Sequence, residues 1–413
     1  MSKNVTVIGG GLAGLTAAAT AARAGANVTL HEARSSLGGR ARTRQDKGFL
    51  FNEGAHALYA GLAGIEVLRG LGIEPKGNAP KASGAQGRLR GNLGLLPAAP
   101  MEALRSRLVG WRTKAQLGRQ LARPKALVHR HTVGLSMSEW INELVTDADA
   151  RLFVRMISRV AVYTDDLDNI AAEAAVPQVL SALTAGVLYL DGGWQQLTDA
   201  LVGVSQVAGV TIVANSKVDS FDNLAPSDVV IFAAGGPQQA ADFVGSRSSM
   251  LAEWAATQEP VRVAALDLGL RQLPRPDRRV VFGVDEPLYL SVHTPSAALA
   301  PAGGEVVHLI HYAPADDSRA AMESLLDDAQ PGWRDQVVTE RFSRSLTVAH
   351  GRPTPKTGFA GRPGPAVADC HGLFVAGDWV GPVGLIGDAS LASGRHAAQL
   401  ALGLRASHVG SIS

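Results

Sequence analysis

Residues 5–14 read Val-Thr-Val-Ile-Gly-Gly-Gly-Leu-Ala-Gly and predict a β-strand that turns directly into a helix. The apolar run ends in Gly9, Gly11 and Gly14, which have the G-x-G-x-x-G spacing of a dinucleotide-binding unit. Such glycines allow a tight turn, a close approach of the backbone to a pyrophosphate, and close packing of the helix on the strand. The Ala-rich segment that follows is helical and ends at Gly25, so its N-terminal N–H groups would face the phosphates.

An acidic residue at the end of the next predicted strand completes this unit. Glu32 follows the run Val28-Thr-Leu-His and lies 18 positions after Gly14. A carboxylate there can accept hydrogen bonds from both hydroxyls of an adenosine ribose, whereas it would repel a 2′-phosphate. The stretch Leu37-Gly-Gly-Arg-Ala-Arg42 follows directly. Together these segments predict FAD as the cofactor.

The composition is that of an ordinary globular protein. The 413 residues, 46% hydrophobic and 18% charged, suit two domains or one large interrupted domain. A net charge of +2 argues against a dedicated nucleic-acid binder. Cys370 is the only cysteine, so the sequence predicts no disulfide framework and suits a reducing cytosol. No tight metal-binding spacing links the histidines, so no metal is expected.

The sequence predicts neither an N-terminal signal peptide nor a membrane span. The N-terminal apolar stretch is broken by glycines and has no basic leader, which argues against a signal peptide. No window reaches roughly 18 uninterrupted apolar residues, the length that a membrane span needs. A cytoplasmic location is therefore expected.

Three segments of strand–helix texture are separated by two regions of different character. Residues 1–80, 190–240 and 350–413 carry the strand–helix pattern, and we expect them to form one Rossmann-type FAD-binding domain built from discontinuous segments. Residues 81–189, rich in Arg and in helical spacing, are interpreted as a helical insertion. Residues 241–349 contain alternating runs that predict a mainly antiparallel sheet, with helical segments over 315–345. The prediction is an α/β protein with an α+β substrate domain formed by the last two regions.

With these motifs in view, the chain resembles the flavin amine oxidase and phytoene desaturase superfamily, and most closely its phytoene-dehydrogenase-like members. The resemblance covers nearly the whole length. Beyond the first unit it rests on Gly38-Gly39-Arg40, Gly54-Ala55-His56, Tyr189-Leu-Asp-Gly-Gly-Trp194, Ala376-Gly377-Asp378 and Ala392-Ser-Gly394.

The resemblance implies a role for each matching position. Glu32 would hold the ribose, Arg40 and the Gly39 backbone would lie along the pyrophosphate, and Val218 would present its backbone to the adenine. Asp378 would bind ribityl or pyrophosphate oxygens, and the amides of Asp388 and Ala389 would face the pyrimidine edge of the flavin. The expected cofactor-binding residues are Gly9, Gly11, Leu12, Ala13, Gly14, Glu32, Ala33, Gly38, Gly39, Arg40, Arg42, Gly54, Ala55, His56, Val218, Ala234, Gly377, Asp378, Asp388 and Ala389. For Arg40 and Arg42 a solvated turn is the alternative.

Two departures bear on the substrate. Amine oxidases of this superfamily place a lysine in the substrate-domain sheet, yet residues 260–312 contain none. They also place an aromatic residue before the last helix, where this chain has Leu385 and Ile386. An apolar pocket would deprive a cationic amine of stabilising ring faces.

The candidates for chemistry are few. His56 could take a proton or orient a substrate, and Trp379 could line the pocket; the alternatives are a histidine packed under the cofactor and a core tryptophan. Adjacent strand residues point to opposite faces, so at most one of His311 and Tyr312 can face a pocket. The expected substrate-pocket residues are Arg159, Tyr163, His293, His311, Tyr312 and Leu385.

A basic stretch covers residues 88–130, with ten Arg or Lys against the single acid Glu102. Leu104, Leu108, Trp111 and Ala115 repeat beside them at helical spacing, as in helices that lie on anionic membranes. A peripheral membrane contact is one interpretation, and a solvated helical face or an oligomer contact is the other.

The sequence thus predicts an FAD-dependent oxidoreductase, with the FAD bound noncovalently, that removes a hydride from a mainly apolar, lipophilic small molecule. A flavin amine oxidase or C–N dehydrogenase, a redox-neutral double-bond isomerase and a non-enzymatic flavoprotein scaffold are the alternatives. Oxygen and a quinone are the candidate electron acceptors, and no nucleic-acid partner is expected.

Overall fold

The structure is a computed structural model and describes residues 2–80, 84–122, 127, 131–224, 226–294 and 296–404. Arg123, Lys125 and Arg130 of the basic stretch and residues 405–413 of the predicted FAD domain lie outside these ranges. The strands, in chain order, are β1 (Asn4–Ile8), β2 (Asn27–His31), β3 (Thr43–Asp46), β4 (Phe49–Asn52), β5 (Leu58–Tyr59), β6 (Gly77–Asn78), β7 (Gln86–Leu89), β8 (Asn92–Leu95), β9 (Val187–Leu190), β10 (Thr211–Val213), β11 (Val229–Phe232), β12 (Val261–Leu270), β13 (Val280–Gly283), β14 (Leu288–Val292), β15 (Glu305–His311), β16 (Val337–Ala349) and β17 (Leu373–Val375). The helices are α1 (Leu12–Arg23), α2 (Ala63–Gly70), α3 (Pro100–Arg105), α4 (Trp111–Leu121), α5 (Met137–Leu144), α6 (Ala148–Val162), α7 (Ala172–Thr184), α8 (Gln195–Val207), α9 (Pro237–Val244), α10 (Ser249–Thr257), α11 (Ser318–Ala329) and α12 (Ile386–Ala401).

A parallel sheet of five strands, in the order β10-β2-β1-β11-β17, carries the glycine-rich turn. Its strands come from three well-separated parts of the chain, and β1 and β11 are largely buried, as the apolar β-branched runs predict. The chain order reverses between β1 and β11, and ligands bind outside the carboxyl ends of strands at such a switch point. A Cβ on Gly394 would lie 2.3 Å from the Ala13 carbonyl oxygen, so α12 packs against α1 almost backbone to backbone.

The second large sheet has seven strands in the order β16-β12-β15-β14-β13-β7-β8. All its neighbouring strands are antiparallel except β13 and β7. One face packs on α11 through Leu266, Leu309 and Leu325, and the other contributes Val263 and Ile310 to a cluster with α5, α6 and α7. This second face is the one that reaches the cleft described below.

Two parts of this sheet were not predicted. β7 and β8 lie within the segment expected to be a helical insertion, and β16 replaces the end of the helical segment expected over 315–345. β16 is an edge strand with polar and charged residues on its exposed side, including Glu340 and Arg344. An edge strand of this kind lacks the continuous apolar run of a buried strand, so its periodicity is easily taken for that of a helix.

Candidate functional site

A cleft of about 690 Å³ runs between the two sheets. One wall is the carboxyl edge of the five-stranded sheet, and the other is formed by Val263 of β12, Ile310 of β15 and residues 345–348 of β16. The start of α12 forms one end. The predicted residues that line the cleft are Gly9, Gly11, Leu12, Ala13, Glu32, Gly38, Gly39, Arg40, Arg42, Gly54, Ala55, His56, Tyr163, Ala234, Gly377, Leu385 and Asp388.

The turn after β1 forms the first part of the cleft. A Cβ on Gly14 would lie 1.9 Å from the Gly9 carbonyl oxygen, so this position accepts only glycine, whereas a Cβ on Gly11 would meet no atom within 4 Å. Glu32 lies at the carboxyl end of β2, where its Oε2 accepts the Gly10 N–H at 2.8 Å and its Oε1 accepts the Arg34 N–H at 2.8 Å. These two bonds fix the carboxylate beside the glycine turn.

A buried carboxylate anchors the middle of the cleft. Arg40 Nη1 donates to Asp378 Oδ2 at 2.9 Å, and the His350 backbone N–H donates to the same oxygen at 2.9 Å. Burial would raise the pKa of Asp378, but the Arg40 and His350 side chains outweigh it and hold that pKa well below its ordinary value of 3.8. Asp378 does not line the cleft itself but pairs with Arg40, which does.

The loop before α12 is held by a buried arginine that the sequence analysis did not identify. Arg362 donates to the carbonyl oxygens of Gly384, Asp378 and Val380 at 2.7, 2.8 and 3.0 Å. Burial lowers the pKa of Arg362 to about 10 despite Asp378, which still leaves it charged at neutral pH. A cation that binds three carbonyl groups of one loop gives the first turn of α12 a defined position.

Asp388 lies in that first turn and lines the cleft. Its Oδ1 accepts the Gly64 N–H at 2.7 Å, at the start of α2. Burial raises the pKa of Asp388 to about 7, although this hydrogen bond opposes the shift. The carboxyl group therefore changes charge near neutral pH.

Apolar and aromatic side chains form the far end of the cleft, where Val263, Ile310 and Leu385 lie with Tyr59 and Tyr163. The Tyr59 hydroxyl donates to the Ala161 carbonyl oxygen at 2.9 Å, and the Tyr163 hydroxyl donates to the Ala55 carbonyl oxygen at 2.8 Å. Both rings therefore present carbon surface to the cleft, while their polar ends are satisfied elsewhere.

His56 lies between the two ends. Its Nδ1 is 2.9 Å from the Gly54 carbonyl oxygen, and its ring packs edge-on against Trp194 with centroids 4.9 Å apart. Burial lowers the pKa of His56 below 6.5, against the effect of the Gly54 carbonyl group. The imidazole is therefore neutral at pH 7, with Nδ1–H donating and Nε2 available as an acceptor.

The remaining predicted residues do not line the cleft. Trp379 is fully buried in another cluster, and its Nε1 donates to the Gly235 carbonyl oxygen at 3.3 Å. Arg159 is buried against the Glu286 and Val284 carbonyl oxygens and pairs with Asp165. His293 stacks on Tyr189 at 3.7 Å, His311 bonds Ser318, and Tyr312 packs edge-on behind Tyr163 at 6.1 Å. Gly14, Ala33, Val218 and Ala389 also lie outside the lining.

The residues to which the sequence analysis assigned no role at the cleft include Tyr59, Gln178, Trp194 and His350, together with Arg362, which holds the loop before α12. Trp194 directly follows the Gly192–Gly193 pair of a recognised motif, so a signal for it was present. The others come from segments without a motif.

The cleft suits a flavin dinucleotide. Arg42 Nε and Trp194 Nε1 line it and are buried without a hydrogen-bond partner among the described residues. Buried donors of this kind are costly unless a ligand pairs with them. The open space over Gly11, the Glu32 carboxylate and the first turn of α12 fit a pyrophosphate, a ribose and the edge of an electron-rich ring, respectively.

Comparisons with known proteins agree with this geometry. A segment 46% identical over 77 residues to hydroxysqualene dehydroxylase from Rhodopseudomonas palustris covers 18% of this chain and 18% of that protein. A segment 31% identical over 118 residues to mitochondrial protoporphyrinogen oxidase from Nicotiana tabacum covers 28% of this chain and 23% of that one. This chain therefore spans well under two thirds of either relative. The fold is similar to that of an oxidoreductase from Methanosarcina mazei, with a TM-score of 0.72 at 20% identity over 94% of this chain and 98% of the other.

The sequence profile of flavin containing amine oxidoreductases matches residues 12–244, which include Gly14, Glu32 and, at the apolar end of the cleft, Tyr59 and Tyr163. Because this match spans more than half of the chain, the protein belongs to the flavin-containing amine oxidoreductase family.

Proposed function

We propose that this protein is an FAD-dependent oxidoreductase that removes a hydride from a mainly apolar organic substrate. The observation that carries the proposal is one continuous cleft, with a dinucleotide-type turn and Glu32 at one end and Val263, Ile310 and Leu385 at the other. Two domains, residues 1–80, 190–240 and 350–413 against residues 81–189 and 241–349, would meet at this cleft.

Each part of the cleft has a binding task in this proposal. Glu32 accepts hydrogen bonds from the ribose hydroxyls, and the backbone N–H groups at the start of α1 face the pyrophosphate. Arg40, held by Asp378, neutralises phosphate charge, and Arg42 and Trp194 donate to the bound cofactor. The first turn of α12 faces the pyrimidine edge of the flavin ring.

The chemistry needs a hydride acceptor, which a bound flavin supplies, and where a proton also leaves, a base. Neutral His56 offers Nε2 for that proton, because its Nδ1–H is committed to Gly54. The apolar residues around the substrate exclude water and hold the reacting carbon in place.

Noncovalent attachment of the FAD is supported by the position of the only cysteine. Cys370 is buried before β17 and does not line the cleft. Acid precipitation of the protein should leave the yellow colour in the supernatant, and chromatography should identify FAD. Colour that stays in the pellet, or recovery of FMN, would contradict this assignment.

Anaerobic bleaching of the flavin tests the activity. A substrate that loses a hydride bleaches the flavin stoichiometrically, and admission of oxygen or a quinone then identifies the electron acceptor. Isoprenoid hydrocarbons and their oxygenated derivatives are the first compounds to screen. An enzyme that turns over only after prior reduction of the flavin would be the redox-neutral isomerase, and a protein that does neither would be a scaffold.

One observation favours the amine oxidase alternative. Tyr59 and Tyr163 present aromatic surface at the apolar end, and ring faces of this type attract cations. Against it, no lysine among the described residues lines the cleft, and Leu385 takes the place of an aromatic residue before α12. The apolar substrate therefore remains our proposal.

We further propose that α3 and α4 contact an anionic membrane. Met101, Leu104 and Trp111 are 59%, 81% and 78% exposed, and the exposed Arg105, Arg107, Arg112 and Arg119 accompany them. Apolar side chains beside a row of arginines suit the interface of a bilayer that contains acidic lipids. Within the described residues no helix has the length and hydropathy needed to cross a bilayer.

A further inference from the structure

One polar side chain at the apolar end of the cleft, that of Gln178, is assigned neither to the cofactor nor to the chemistry. Gln178 projects from α7, is 2% exposed, and lines the cleft. A glutamine is seldom buried to this degree without satisfying its amide group, because its removal from water has to be compensated by hydrogen bonds.

The amide nitrogen of Gln178 is not satisfied. Nε2 makes no hydrogen bond of accepted geometry with any described residue. The Tyr59 hydroxyl beside it donates its own hydrogen to the Ala161 carbonyl oxygen, and its oxygen can accept at most one of the two amide hydrogens, so the other amide N–H has no partner among the described residues. Since the Tyr163 hydroxyl is likewise committed to Ala55, Gln178 is the free donor among the tyrosine and amide groups that line this end.

The surrounding charges define what this donor can bind. Arg159, which the sequence analysis expected in this pocket, does not line the cleft and is engaged by two backbone carbonyl oxygens and Asp165, so it offers an anionic ligand no free counter-charge. Apolar groups of Val263, Ile310 and Leu385 make up the neighbouring wall. A neutral oxygen on an otherwise apolar molecule satisfies the amide and leaves no charge buried.

We propose that Gln178 donates a hydrogen bond to a neutral oxygen of the substrate, so that the substrate is an apolar skeleton bearing a carbonyl, hydroxyl or ether group. This inference rests on the proposed function, because it assumes that the apolar end holds the substrate. It makes Gln178 a specificity-determining residue. Discrimination of this type is strong, because an analogue without the oxygen leaves the donor buried and unpaired.

The test compares two ligands that differ at one atom. Geranylacetone, an isoprenoid ketone, and its isostere with a methylene group in place of the carbonyl oxygen are titrated anaerobically into the FAD-loaded protein, with the shift of the flavin absorbance as the readout. The wild type should bind the ketone about tenfold more tightly, the equivalent of one net hydrogen bond. Gln178→Met should lose this preference and keep its affinity for the hydrocarbon. Gln206→Met, on an exposed glutamine of α8, should behave as the wild type does.

Each outcome decides a separate point. A preference for the ketone that persists in Gln178→Met, or equal binding of both ligands by the wild type, overturns the role of Gln178 and leaves the proposed function intact. A wild type that binds neither ligand overturns the proposed function and this inference with it. Equal binding by the wild type overturns the inference without any variant, and if Gln178→Met fails to retain FAD, Gln178→Leu takes its place in the comparison.

Discussion

Glu32 is the residue that our proposal assigns to the ribose of FAD. Its carboxylate is held beside the glycine turn by the Gly10 and Arg34 N–H groups, and its remaining lone pairs are free for a ribose. Glu32→Ala should weaken FAD binding by roughly 1–3 kcal/mol, the cost of losing charged hydrogen bonds. Fluorescence titration of the apoprotein with FAD measures the binding affinity of the wild type and the variant. Glu74→Ala removes an exposed acid and serves as the control; equal FAD affinity in both variants would contradict the assignment.

Asp388 couples the stability of the apoprotein to pH. Because its folded pKa of about 7 lies above the ordinary 3.8, its contribution to stability is fully present below the ordinary value and is lost as the pH rises through about 7. Relative to Asp388→Asn, the wild type should therefore lose about 1.4 kcal/mol for each pH unit within that window. Urea unfolding of both proteins from about pH 5 to 8, a range that spans the pKa of Asp388, gives the difference in unfolding free energy. Buried histidines titrate in both proteins, so they cancel; a pH-independent difference would show that Asp388 titrates normally.

At the scale of elements, the turn between β1 and α1 separates folding from binding. A Cβ on Gly14 would collide with the Gly9 carbonyl oxygen, whereas a Cβ on Gly11 would enter only open space. Gly14→Ala should therefore destabilise the apoprotein, by roughly 1–3 kcal/mol or more. Gly11→Ala should leave its thermal unfolding unchanged yet impair FAD binding, because the methyl group occupies the path of the pyrophosphate. Similar melting temperatures for both apoprotein variants would be evidence against this division.

The surface of α3 and α4 should bind anionic vesicles. Replacing Leu104 and Trp111 together by Ser should weaken sedimentation with phosphatidylglycerol-containing vesicles about tenfold or more, since two large apolar side chains no longer enter the bilayer. Val207→Ser, on an equally exposed apolar residue of α8, is the matched control. If the wild-type protein does not bind such vesicles, or binds neutral phosphatidylcholine vesicles equally well, this surface instead faces solvent or contacts another copy of the chain.

For the whole molecule, the proposed substrate preference follows from the apolar wall of the cleft between the two sheets. A cationic amine would lose its hydration among Val263, Ile310 and Leu385 at a cost of several kcal/mol. Each ring face of Tyr59 and Tyr163 would return only about 2 kcal/mol, less than the loss of hydration. Simple primary amines should therefore bleach the flavin slowly or not at all at neutral pH. Stopped-flow reduction by benzylamine measures this rate, with free FAD as the control, and rapid reduction would restore the amine oxidase alternative.

The sequence by itself determined the end of the cleft that is formed by the glycine turn after β1 and by Glu32. Its signals lie within residues 5–42, where glycine spacing and one acid act on a single strand–turn–helix–strand unit. The glycines that line the cleft, Glu32 and Arg40 were found because local chain geometry brings them together. The later matches at Gly377 and Asp388 also line the cleft, near the start of α12, whereas Asp378 lies behind it and pairs with Arg40.

Only the tertiary structure decided the substrate end. Whether Tyr59, Gln178 or Trp379 faces the cleft depends on how α7, β5 and the loop before α12 pack, and these segments are far apart in the chain. His311 and Tyr312 show the same dependence: Tyr312 lies on the same face as Ile310 but packs behind Tyr163, whereas His311 lies on the other face and bonds Ser318. Side-chain direction in a sheet reverses with each residue, so it is set by long-range pairing and packing, and the local sequence contains no record of it.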